Sequence, residues 1–438
     1  MRKFEELVIY KTFEFEESAI LEKMSWVVER YMSINMDTEE EIRDSIKVAY
    51  YDIIHGLIDL AGNHGFEGNL WHTYLTYLLV SNENTFSMAS EIRGAVRGSI
   101  NVLANYDFEI FKSFYDYDFA DLEEALETKL FTVIKDYQGP DENSKVFNKR
   151  IRDRICHLSV LLGKAESTEA FKNAVVDFYG EFGVGKLGLH KAFRIAHNEE
   201  GVHIMPITRI SHVQLDDLIG YEMAKQKLVD NTEAFIRGKQ ANNCLLFGDA
   251  GTGKSSSVKG ILNQYYEQGL RIIEIYKHQF QNLNDVITQI KNRNYKFIIY
   301  MDDLSFEEFE IEYKYLKAVI EGGLEKKPEN VLIYATSNRR HLIRESFEDK
   351  EGRRDQLHAS DTVQEKLSLA ARFGVRIFFT SPSKMEFQNI VKVLAKRNDV
   401  TLSEEELLLE ANRWELSHGG FSGRTAQQFI DYLLGKQV

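Results

Sequence analysis

The residues best placed to do chemistry form one short run, Gly248-Asp249-Ala250-Gly251-Thr252-Gly253-Lys254-Ser255, with Ser256 next in line. It matches G-x-x-x-x-G-K-[ST] at every fixed position. Glycines let the backbone curl so that successive N–H groups point at one anion. A helix starting there adds the positive end of its dipole. Lys254 supplies an ammonium for the β- and γ-phosphates of a nucleotide, and Ser255 a hydroxyl for Mg²⁺. The context agrees, with the apolar run NCLLFG (243–248) before it and an amphipathic stretch after it. A second run, Gly180 to Lys186, fits the bare pattern but carries Leu187 where a hydroxyl is needed, and it reads as a glycine-rich turn.

Two strand ends add polar groups. FIIYMDD (297–303) ends in paired carboxylates. Asp302 suits the Mg²⁺ shell, and Asp303 suits orienting or activating a water; Asp303 also suits capping a following helix. VLIYATSN (331–338) ends in Thr336, Ser337 and Asn338, which suit contact with a γ-phosphate or lytic water, or a hydrogen-bonded turn. Arg339, Arg340, His341 and Arg344 follow, to face a neighbouring subunit or to pair with Glu345, Glu348, Asp349 and Glu351. Arg372, just before the run VRIFFT (375–380), suits projection into a neighbouring subunit's nucleotide or an ordinary ion pair. Arg424 falls in a predicted helical first turn, where the dipole disfavours a cation. That cost points to a phosphate contact.

Short apolar strands at 243–248, 271–276, 297–302, 331–337 and 375–380 alternate with helical stretches at 255–267, 282–292 and 310–322. Such alternation predicts a mostly parallel sheet covered on both faces. Helical periodicity returns at 383–397, 403–416 and 423–434. Before the sheet, the spacing predicts helices over 37–62, 71–80, 121–134, 146–163 and 167–178, with Asp37 or Thr38 as the first N-cap. The layout expected is a helical domain over 1–165, a connecting segment over 166–215, an α/β core over 216–381 and a helical lid over 382–438. The stretch QGPDENSK (138–145) has linker chemistry.

Composition narrows the classes. Of 438 residues, 43% are hydrophobic and 28% charged, which argues against wholesale disorder. No apolar run approaches the length of a membrane-spanning helix, so no membrane role is expected. Cys156 and Cys244 are too few for a disulfide framework, and a reducing, cytoplasmic setting is expected. All of the net charge of −14 lies within residues 1–140, and the remainder is neutral. An acidic body weakens sequence-independent nucleic-acid binding, although a local basic groove in the neutral part stays open. The acidic third is a solvated surface or a site for a basic protein client. No zinc spacing and no G-x-S-x-G elbow occurs.

In this order, the phosphate loop, the acidic strand end, Asn338, Arg372 and Arg424 resemble an AAA+ P-loop ATPase. LDDLIGYEMAKQKLVDNTEAFIRG (215–238) resembles the segment before the phosphate loop in that superfamily, which would place Leu218, Ile219 and Gly220 near adenine. LLFGDAGTGKSSSVKGIL, KFIIYMDDLSFE, NVLIYATSNRRHLI and ARFG are similar, more narrowly, to an uncharacterised bacterial ATP-binding family, domain of unknown function 815. The resemblance covers 216–438 strongly and the helical region loosely. It implies ATP and Mg²⁺ as ligands, a five-stranded parallel sheet with the phosphate-loop strand central, and ring or filament self-association. Asn338 would be the sensor on its strand end, and Arg372 the trans-acting arginine, with Arg340 and Arg354 as rivals. Asp303 stands where the superfamily usually has glutamate. The expectation is an ATPase that assembles or remodels a macromolecular client. The alternatives are a nucleotide-gated binding module with little hydrolysis and a P-loop kinase or small-molecule transferase.

Overall fold

The computed structural model describes residues 4–11, 18–33, 40–95, 97–139, 148–198, 201–208, 210–306, 310–321, 328–338 and 369–436. The chain divides into two units, Met1–His190 and Lys191–Val438.

The first unit is helical. Its core takes up much of the aromatic content: Trp71, Tyr74, Phe108, Phe111 and Phe114 are all buried. Buried phenols need partners. Tyr10 Oη lies 3.0 Å from Tyr179 Oη, which donates to the Leu79 carbonyl at 2.6 Å. Asp107, 0% exposed, accepts the backbone N–H groups of Val8, Ile9 and Tyr10 at 2.9, 2.7 and 2.8 Å. One carboxylate thus ties the N-terminal segment to a core helix.

The helix expected over 121–134 is two short ones, Ala120–Ala125 and Leu130–Ile134, with Glu127 between them at φ +54°. The buried Glu123 carboxylate is the reason. It takes the Phe131 N–H at 2.7 Å, the Thr132 hydroxyl at 2.6 Å and the Tyr50 hydroxyl at 2.9 Å. A buried carboxylate needs such donors, and a free helix start supplies them.

The segment 166–215 is not a connector. Thr168–Phe182 is a helix that buries Phe171, Val175 and Tyr179 in the first unit. β1 (Ala192–Asn198) and β2 (Gly201–Pro206) form an antiparallel hairpin in the second. The boundary therefore falls at 190/191, beyond the QGPDENSK stretch, most of which lies outside the described residues.

The second unit is built on β3 (Cys244–Gly248), β4 (Leu270–Glu274), β5 (Lys296–Met301), β6 (Val331–Ser337) and β7 (Val375–Phe379). These are the five expected strands, all parallel. The hairpin extends them to seven, in the order β2-β1-β4-β5-β6-β3-β7. β3 is flanked on both sides but lies next to the edge strand, so the phosphate-loop strand is internal rather than central. Every residue of β6 is buried, as a parallel strand covered on both faces requires. Lys384–Arg397, Glu404–Ser417 and Gly423–Lys436 make a three-helix lid with its own core of Phe387, Ile390, Val391, Phe429 and Ile430. Capping boxes Ser383/Glu386 and Ser403/Glu406 start the first two lid helices.

Asp107→Ala leaves three N–H groups without their acceptor, at about 1–3 kcal/mol for each that stays buried. The expected result is a first-unit urea transition lowered by about 3 kcal/mol or more. An unchanged transition contradicts the anchoring role.

Candidate nucleotide site

The order β5-β6-β3 sets three strand ends side by side: Met301 pairs with Ala335, and Phe247 with Ser337. The polar residues that follow each strand therefore meet at one end of the sheet, where open α/β sheets bind ligands. The loop after β3 curls through Gly248, Gly251 and Gly253, with φ of +135°, +75° and +90°. Gly248 excludes any side chain on contact grounds because it faces backbone, and at Gly253 a neighbouring leucine side chain would have to move. A Cβ on Gly248 would lie 2.0 Å from the Phe379 carbonyl oxygen, and one on Gly253 would lie 2.2 Å from Leu218 Cδ2.

The helix Lys254–Tyr265 starts at the loop. Lys254, 7% exposed, donates to the carbonyls of Gly248 and Asp249 at 3.0 and 2.6 Å. Burial pushes its pKa down, against the opposing pull of Asp249, Asp303 and Asp302. An incoming phosphate would restore charge balance to that buried ammonium.

Three hydroxyls converge on one oxygen of Asp302. Ser255 Oγ, Tyr300 Oη and Thr336 Oγ1 donate to Oδ1 at 2.7, 2.7 and 2.5 Å. Desolvation raises the Asp302 pKa, but the bonds from Thr336, Ser255 and Tyr300 outweigh it, and the carboxyl lies below its ordinary value. Asp302 is thus held ionised beside the Ser255 hydroxyl. That all-oxygen donor pair fits Mg²⁺.

Thr336 Oγ1 also accepts the Asp303 N–H at 2.9 Å. Asp303 sits at φ +49°, an uncommon conformation for a residue with a Cβ. Its Oδ1 accepts from Asn338 Nδ2 at 2.8 Å. The expected pair of Asp303 and Asn338 is therefore in direct contact. No helix starts at Asp303 among the described residues; the next described one is Glu312–Glu321.

A cavity of about 720 Å³ lies over the loop. Ala250 to Ser256, Asp302, Asp303 and Asn338 line it, together with Ile219 and, from the lid, Arg424. The Arg424 N–H donates to the Gly251 carbonyl at 3.2 Å, so the lid touches the loop directly. Gly220 lies instead in an adjoining groove of about 560 Å³ that shares Ile219 and Tyr221. Arg372 is not in the cavity. Its guanidinium pairs with Glu321 of the same chain. Arg340 and Arg354 lie outside the described residues, as do Arg339, His341 and Arg344 with their acidic neighbours.

A family model described as "Protein of unknown function (DUF815)" matches residues 188–437. The chain belongs to that family. A stretch of 74 residues is 31% identical to the Replication factor C large subunit of Staphylothermus marinus, spanning 17% of this chain and 17% of that protein. Solved structures of Thermotoga maritima RuvB are also similar. A RuvB mutant aligns at 17% identity over 52% of this chain and 67% of that one, with a TM-score of 0.36. A structure titled as the RuvB Holliday junction branch migration motor aligns at 16% identity over 50% and 72%, with a TM-score of 0.30. The DUF815 chain has an α/β core of mostly parallel strands with a three-helix lid.

Other features of the DUF815 chain escaped its sequence. Tyr300 belongs to no motif, yet it lies two residues before Asp302 and so on the same strand face. Gln427 and Gln428 line the cavity from the lid helix, a face that helical periodicity alone does not assign. The Gly180–Lys186 run is no phosphate loop. Gly180 lies inside the helix Thr168–Phe182, and the element before that helix among the described residues is another helix, Lys149–Gly163. The turn that follows is served by the chain's own carboxylates: Glu91 accepts the Val184 N–H at 3.0 Å, and Glu83 packs against Gly185.

Thr336→Val keeps the shape but removes the donor to Asp302 and the acceptor for Asp303. Thr336 is 1% exposed, so the loss is expected to be about 1–3 kcal/mol. The check is a lowered second-unit urea midpoint without nucleotide. A midpoint equal to wild type contradicts the bridging role.

Proposed function

We propose that this protein is an ATPase that binds Mg²⁺-ATP at residues 248–256 and couples binding and hydrolysis to the assembly or remodelling of a macromolecular client. The observation that carries the reading is the convergence of Lys254, Ser255, Asp302, Asp303, Asn338 and Arg424 on one cavity. Lys254 supplies positive charge for the β- and γ-phosphates. Ser255 and Asp302 would hold Mg²⁺, which when bound neutralises phosphate charge. Asp303, fixed by Asn338 and by Thr336, orients the attacking water and accepts its proton. Arg424 reaches the phosphates from the lid, and Ile219 borders the base.

The expectations for self-association and for a protein client at the acidic N-terminal unit belong to this proposal. Arg372 acts in trans only if assembly exchanges its Glu321 partner for a neighbour's nucleotide. Among the described residues, no helix is long and apolar enough to cross a membrane.

The test is ATP hydrolysis by purified protein over a wide concentration range. Lys254→Ala is expected to lose nucleotide binding. Asp303→Asn is expected to bind ATP but turn over about 100-fold slower or worse. A wild-type rate per subunit that rises with concentration and is lost in Arg372→Ala supports action between subunits. Tight ATP binding with background turnover at every concentration instead favours a nucleotide-gated binding module.

A further inference from the structure

The second residue of the phosphate loop, Asp249, is a poor choice for a site that must take a triphosphate. A carboxylate there adds negative charge beside the Lys254 ammonium, and it repels the ligand the loop is shaped to bind. The structure shows where that charge goes. Asp249 Oδ2 accepts the backbone N–H of Ser381 at 2.7 Å. Its pKa is held below the ordinary value by the Ser381 amide first and the Ser381 hydroxyl second.

Ser381 lies in the hinge between the two parts of the second unit. β7 ends at Phe379, and the first lid helix begins at Lys384 after its cap Ser383. Only Thr380 to Ser383 join them. Pro382 has no N–H and biases Ser381 toward an extended backbone, so the Ser381 N–H is not drawn into a helix. The last sheet-side bond is made by Asp249 as well: its N–H donates to the Phe379 carbonyl at 3.0 Å. One residue of the phosphate loop therefore grips both sides of the hinge entrance.

A second contact closes the circuit. The Gly251 carbonyl accepts the Arg424 N–H at 3.2 Å, and a Cβ on Gly251 would lie 2.9 Å from Ser422 Oγ and 3.1 Å from Arg424 Cβ. The loop thus meets the lid at its hinge through Asp249 and at the start of its last helix through Gly251. With both points fixed, the lid has little freedom to tilt, and Arg424 stays over the cavity.

We infer that Asp249 is a positioning residue: its carboxylate latches the lid hinge to the phosphate loop through Ser381 and so holds Arg424 over the nucleotide cavity. This deepens the ATPase reading and rests on it for the role of Arg424. The latch itself is made by atoms of the chain alone. What it requires is a side-chain oxygen acceptor at this position, which asparagine also supplies.

Two measurements on the full chain test it. The first is amide hydrogen exchange at Ser381 in nucleotide-free protein. Asp249→Ala is expected to speed that exchange about tenfold or more, and Asp249→Asn to leave it near wild type. The second is ATP affinity in a double-mutant cycle. Asp249→Ala and Arg424→Ala are each expected to weaken binding several-fold, and the pair to be no weaker than Arg424→Ala alone. Unchanged Ser381 exchange in Asp249→Ala overturns the inference. So does an Asn variant as loose as the Ala variant, or independent losses in the cycle. If wild type binds no ATP, the ATPase reading fails, and the exchange measurement still decides the latch.

Discussion

Side-by-side pairing of β5, β6 and β3 is the constraint on which the site depends. Parallel strands all end on the same edge, so polar residues just past each strand meet without any long reach. Thr336 shows how closely the register is used. Its hydroxyl donates to Asp302 and accepts from the Asp303 backbone. A one-residue slip of β6 would point Thr336 to the other face and undo both bonds. The five-strand core is therefore a positioning device, and the β1-β2 hairpin extends it on the side away from β3.

Charge balance explains most of the local geometry. Lys254 is nearly buried and is bonded to backbone carbonyls, an arrangement that leaves its charge incompletely compensated. Asp302 has three hydroxyl donors on one oxygen and stays ionised despite burial. Asp249 is turned to the hinge rather than to the lysine. Lys254 and the Ser255–Asp302 pair are thus each fixed by hydrogen bonds beside one another, an arrangement that suits an anionic ligand and a divalent cation.

The residues that meet at the site are legible in sequence because they follow short, local patterns. The glycines, Lys254, Ser255 and the acid pair sit at fixed spacing, and the flanking apolar runs gave the strands to within two residues. What stayed hidden depends on long-range packing. The expected single helix over 121–134 breaks because Glu123 is buried and recruits the Phe131 N–H, which no periodicity reveals. The hairpin at 192–206 reads as connector in sequence because its alternation is short and polar, and its value comes from pairing with β4, about 80 residues later. Arg372 had two readings in sequence, and its partner Glu321 lies 51 residues away. Sheet order is likewise a property of the whole unit, which is why the phosphate-loop strand was expected at the centre rather than beside β7.

The central claim is that one cavity takes a triphosphate on Lys254 and a metal on Ser255 and Asp302. The most direct measurement is a crystal structure of the full chain with Mg²⁺ and a non-hydrolysable ATP analogue. The account predicts the γ-phosphate against Lys254, the cation in contact with the Ser255 hydroxyl and Asp302, and Arg424 facing the phosphates. An analogue bound elsewhere, or one bound here with the cation away from Ser255 and Asp302, would contradict it.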